Sequence, residues 1–208
     1  MRQLLYLSIG LSLIAGTARA QIEAVFNPTG PGVEYAARMY REIWAEHGEQ
    51  IIAALEARSC LPFDEPVVEA IVAERTSNSG GPEHPMTLRA SYVRDVKQAT
   101  LVHELGHRHL WKLEERIDDV DGHQTLFLVL DRVWADLWGE DFAAAAVANE
   151  TEWHERYEEA WAWARSLTEN QRERLWDELL SLNGFASCDG PLERSAGGRT
   201  DGDSVADR

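Results

Sequence analysis

The sequence predicts an α+β fold, mostly helical, with a small sheet. Three observations lead there. Apolar side chains recur at spacings of three and four over most of the chain, as on the buried face of an amphipathic helix. One short segment, residues 86–93, alternates apolar and polar side chains as a half-buried strand does. The segment 103–107 reads HELGH, a pattern whose two imidazoles share a helix face only if the segment is helical.

Residues 1–20 read as a secretion signal. Arg2 supplies a basic start, residues 4–15 are apolar but too short for a comfortable membrane span, and Ala18 and Ala20 place small side chains where a signal peptidase reads. Cleavage between Ala20 and Gln21 is the expectation, followed by export to a periplasm or the outside. The alternative is a retained anchor helix. No other stretch is long and apolar enough to span a bilayer. The remaining chain divides into one domain over 21–188, long enough for a sizeable core, and a tail over 189–208 that is nearly devoid of apolar side chains and expected to be disordered.

Charge narrows the partners. The 208 residues carry 20 basic and 36 acidic side chains; loss of Arg2 and Arg19 with the signal leaves 18 against 36, a formal net charge of −18. Such a surface repels phosphate backbones, so nucleic acid is not an expected partner. The two cysteines, Cys60 and Cys188, form no CxxC pair. In an oxidising compartment they read as one disulfide tying the end of the first helix to the C-terminal segment, the alternative being two unrelated thiols.

Along the chain, residues 27–32 (NPTGPG) are turn chemistry. A helix is expected over 34–58, where Ala36, Met39, Tyr40, Ile43, Trp44, His47, Ile51 and Leu55 form one stripe. His47 on that stripe reads as a core or boundary histidine. Pro62 and Pro66 break the helix, and residues 66–73 are a strand or a short helix. A loop over 77–82 leads to the alternating segment, with Asp95 as a candidate helix cap after it.

The apolar helix around HELGH offers His103 and His107 at i and i+4, two of the three protein ligands usual at a catalytic zinc, with Glu104 beside the first as a base for an activated water. Past it, clustered aspartates and Gly122 end one helix and begin another, with Asp121 as a candidate cap. From His123, the positions Leu126, Phe127, Leu130, Val133, Trp134 and Leu137 continue at helical spacing on the face that His123 shares. An inward imidazole needs a partner, which makes His123 the candidate third ligand; a histidine bonded to the preceding loop is the other reading. Asp119 and Asp121 are nearby rivals. Asp118, Asp119 and Asp121 are better placed to orient an imidazole N–H. His109 points away from the ligand face. Residues 140–165 are rich in Ala, Glu and Trp, and the stripe of Trp153, Tyr157, Ala160 and Trp161 reads as core. A last helix spans 168–182 and stops at Asn183 and Gly184. No internal repeat, phosphate-binding glycine loop or GxSxG elbow is present.

The segment TLVHELGHRHL over 100–110 resembles the active helix of zincin metallopeptidases, sharply over about twenty residues and more loosely over 85–165. The resemblance implies a zincin-like fold in which a later helix carries the third ligand, with Zn²⁺ as cofactor, Glu104 as general base, and a peptide or protein as substrate. It makes Glu150 and Glu152 further rivals for the third position, opening a later helix. It gives the strand at Leu88 and Ala90 the role of an edge that pairs with extended substrate; a strand that only completes the sheet is equally compatible. His154 or Tyr157 could assist the developing oxyanion. Mn, Fe or Co would suit similar ligands. The alternative function is an exported metal-binding protein of the same fold that acts as an interaction module without peptidase activity. A secreted binding module without metal is a third class. Oligomeric state is not legible.

Overall fold

In a computed structural model, residues 22–188 are described. The expected signal and tail lie outside them. The architecture is α+β: three parallel strands and a larger set of helices around one core. Strand β1 (Glu23–Pro28) leads through a 3-10 turn into the long helix α1 (Glu34–Ser59). Strand β2 (Val67–Ala73) follows and lies between β1 and β3 (Met86–Arg89), parallel to both. The ambiguous segment after Pro66 is therefore the central strand. Its Val68, Ala70 and Val72 are buried, as the period of two requires.

Helix α1 is the crossover that returns the chain from β1 to the start of β2, which parallel pairing requires. It packs on the sheet through Tyr40, whose ring stacks on Phe26 at 5.8 Å and whose hydroxyl donates to the Arg89 carbonyl at 3.0 Å. The helix ends at Cys60, which takes a left-handed conformation and returns its N–H to the Glu56 carbonyl. Cys60 is bonded to Cys188, closing a loop of 128 residues' separation, as the cysteine spacing suggested.

The connection from β2 to β3 has no helix. It doubles back along β3, so that Asn78 and Thr87 exchange both backbone hydrogen bonds at 2.9 Å and the Ser77 hydroxyl accepts from the Arg89 N–H. The Arg89 carbonyl is taken by Tyr40. Of the two roles left open for the strand at Leu88 and Ala90, a substrate-pairing edge or a strand that only completes the sheet, this pairing favours the second. Leu88 is fully buried, the Ala90 N–H bonds inward to Ala73, and the outward backbone groups of Thr87 and Arg89 are already paired within the chain. The strand is also shorter than the alternation implied. It stops at Arg89 because the chain turns there, and the buried Lys97 ammonium collects the carbonyls of Ala90 and Tyr92.

Helix α2 (Arg94–His109) carries the HELGH segment. Asp95 is not its cap: it lies in the first turn, and Val93 precedes the helix in an extended conformation. Leu101, Val102 and Leu105 are fully buried, each worth about 2 kcal/mol of transfer free energy. Near its end, the Arg108 guanidinium pairs with the Glu65 carboxylate and donates to the carbonyls of Ser79 and His84, tying two loops to the helix.

The helix expected to run on from His123 is two helices, α3 (Gly122–Phe127) and α4 (Leu130–Trp138). Between them Leu128 and Val129 bond back three residues, to Thr125 and Leu126. The reason is packing: Leu126 to Leu130 are five consecutive buried side chains, and a straight helix presents only part of such a run to one core. Helices α5 (Glu140–Thr151), α6 (Glu155–Ser166) and α7 (Glu169–Leu182) complete the fold, the last opened by a capping box between Thr168 and Gln171. Glu150 and Glu152 close α5 rather than opening a helix.

Candidate metal centre

The centre is built from two helices. On α2, His103 and His107 stand one turn apart, their ring centroids 4.9 Å from each other. The third imidazole, His123, comes from the first turn of α3. Its backbone is fixed by the cap: the Asp121 carboxylate accepts from the N–H groups of His123 and Gln124, each at 2.8 Å, while the Gln124 side chain accepts from the Asp121 N–H. The His123 ring lies 4.8 Å from His107 and 5.7 Å from His103, inclined to both rather than stacked. One potential ligand nitrogen from each of the three lies within 4.8 Å of the others.

Helix α3 approaches α2 closely at Gly106. A methyl group there would lie 2.6 Å from Leu126 Cδ1, and Leu126 is fully buried. The fourth residue of HELGH thus leaves room for the helix that brings His123. Sequence pattern alone treats it as a free position.

Burial and charge set the protonation of the group. His107 is held well below the usual imidazole range by burial, and then by its neighbours His103, His123 and Arg116. His123 is pushed down to about 4, first by burial and then by His103, against the pull of Asp121 and Glu150. His103 goes the other way. Burial, the largest single influence, lowers it, but the charge and hydrogen bond of Glu150, with the charge of Glu104, outweigh that and raise it. Glu104 is pushed up to about 7 by burial, partly offset by His103 and reinforced by Glu150. Among the described residues none hydrogen-bonds the Glu104 carboxylate, so it is buried and uncommitted beside the imidazoles.

Glu150, a rival for the third ligand in sequence, has another place. It is 1 % exposed, and its two oxygens lie 2.6 Å from His103 Nδ1 and 2.9 Å from Trp161 Nε1. A carboxylate only accepts, so Nδ1 of His103 carries the hydrogen, and in the neutral ring Nε2 keeps a free lone pair. This is the task sequence reading gave to Asp118, Asp119 and Asp121. Those aspartates are exposed on the connecting loop, where Asp121 serves as the cap. Asp119 and Glu152 stay outside the cluster, both exposed. His109 turns away from it, its Nε2 2.6 Å from the Ser59 hydroxyl and its ring stacked on Phe63. His154 caps α6, its Nδ1 accepting from the Arg156 N–H.

Tyr157 does stand at the cluster, its ring 4.7 Å from His123 and 5.8 Å from His103. Burial, with the charges of Glu104 and Glu150, pushes its hydroxyl up to about 12. Trp153 meets the edge of Tyr157 and stacks on Tyr92 at 5.3 Å, giving one side of the centre a half-buried aromatic wall.

Three converging imidazoles, two of them held neutral by their surroundings, are the donor set of a borderline-soft divalent cation such as zinc. The donor count leaves a coordination place for water or substrate. Compared with protein-family models, with curated proteins and with solved structures, the chain matches none.

Proposed function

We propose that the protein is a zinc-dependent hydrolase, and that peptide-bond hydrolysis is its reaction. The convergence of His103, His107 and His123 on one point, with the uncommitted Glu104 carboxylate beside them, carries this reading. His103, His107 and His123 would hold the ion. When bound, zinc supplies Lewis acidity, polarising a carbonyl and lowering the pKa of water toward about 7.

Glu104 is the group that moves the proton. Burial has already brought its carboxyl near neutrality, the range in which a group both accepts a proton from water and returns it to a leaving amine. Glu150 keeps the His103 ring in the tautomer that leaves Nε2 free. Tyr157, Trp153 and Tyr92 supply an apolar surface at which substrate side chains lose water. The Cys60–Cys188 disulfide supports an oxidising, exported setting for this chemistry.

One observation favours a second reading, a metal-holding interaction module without turnover. The outer edge of β3 is closed by Asn78, Ser77 and Tyr40, so an extended peptide finds no strand to join there. Zinc content measured alongside turnover of a broad peptide library separates the two. Stoichiometric zinc with cleavage that Glu104→Gln abolishes supports the hydrolase; stoichiometric zinc with no cleavage of any peptide supports the module.

A further inference from the structure

Helix α6 offers no metal ligand, yet it touches the centre twice. Tyr157 faces His123, and one turn later Trp161 reaches the carboxylate that holds His103. Trp161 is 1 % exposed, stacks on Phe127 with ring centroids 3.9 Å apart, and aims its indole N–H at Glu150 Oε2. Resting on the metal-site reading above, we propose that Trp161 is a positioning residue for the metal centre, acting on His103 through Glu150.

The physical case is one of fixed orientation. Glu150 projects from the last turn of α5 and is itself 1 % exposed, and a carboxylate held at one oxygen alone can still turn about its last bond. The indole N–H donates and cannot accept, so it pins Oε2 and leaves Oε1 for the imidazole. Without that donor a buried carboxylate oxygen has no partner, an arrangement that drives the group to rotate in search of one. The His103 ring then loses its fixed tautomer and direction. Groups that orient a ligand imidazole in this way typically change metal affinity by about 10- to 100-fold when removed.

The fold supplies its own control. Trp134 is also fully buried, its ring 5.9 Å from Trp161 and tilted to it, but does not bond Glu150. The test is zinc affinity of the full chain by competition with a chromophoric chelator, together with the visible spectrum of the cobalt-loaded protein. Trp161→Phe and Glu150→Gln are expected to weaken zinc about 10- to 100-fold and shift the cobalt bands, while Trp134→Phe changes neither. Replacing the Trp161 indole by benzothiophene, which keeps the ring shape and lacks the N–H, makes the same test where Trp161→Phe fails to fold. Wild-type affinity and spectrum in the N–H-deleted protein, or equal losses in Trp134→Phe, overturn the proposal and leave the metal reading intact. A wild-type protein that binds neither ion overturns both.

Discussion

His103 Nδ1 and Glu150 Oε1 lie 2.6 Å apart, both side chains nearly sealed from solvent and separated by 47 residues of chain. An ion pair this deep is costly to assemble, because each group gives up its water. A fold that retains one beside two further imidazoles is organised around that point.

Glu104→Gln tests the base. The amide keeps the size of the side chain and removes its ability to take a proton. Zinc content should stay at one per chain while peptide turnover falls by about 10²- to 10⁴-fold, the usual worth of a general base. Wild-type turnover in this variant would remove Glu104 from the mechanism.

Protonation gives a second test. At pH 6 His107 and His123 are already neutral, the latter because its pKa is pushed down to about 4. The proton-holding groups are His103, whose pKa is raised, and Glu104, raised to about 7. A cation entering the site expels protons from both, so zinc affinity falls as pH drops below their titration. Calorimetry in buffers of different ionisation enthalpy should count roughly two protons released per zinc at pH 6, and roughly one in Glu104→Gln. Release of three would mean that His107 and His123 are not held neutral.

Gly106→Ala sets two effects against each other. Alanine gains up to about 1 kcal/mol of helix propensity. The added methyl meets Leu126 Cδ1 at 2.6 Å in a filled core, and overpacking of that kind costs about 1–3 kcal/mol. The clash should win, with a net loss of up to about 2 kcal/mol in urea unfolding and weaker zinc binding as α3 moves away. A more stable variant with unchanged zinc affinity would show that α3 does not depend on this contact.

Much of this was legible in the sequence. The HELGH spacing, the long first helix, the cap at Asp121 and the cysteine pair are local or count-based signals, and the structure has each of them. The orienting role of Glu150 was not, because a carboxylate's task depends on which neighbour it meets 47 residues away. Nor was the break at Leu128 and Val129, where tertiary burial of five successive side chains overrides helical spacing. The closed edge of β3 escaped for a similar reason: alternation reports which face of a strand is buried and says nothing about what lies beside it.

The disulfide should matter to stability and not to the metal. In the chain-entropy model a loop this long is worth up to about 5 kcal/mol, and about 2–4 kcal/mol is usual. The double variant Cys60→Ser, Cys188→Ser should melt roughly 5–15 °C lower, with zinc stoichiometry unchanged. An unaltered melting temperature would mean that the crosslink adds nothing to the stability of the fold.

The most direct test of the central claim is a crystal structure of the zinc-loaded protein with anomalous diffraction measured at the zinc edge. One peak is expected, with a nitrogen of each of His103, His107 and His123 at about 2.1 Å. A peak elsewhere, or one that His123 does not reach, would contradict a three-histidine centre.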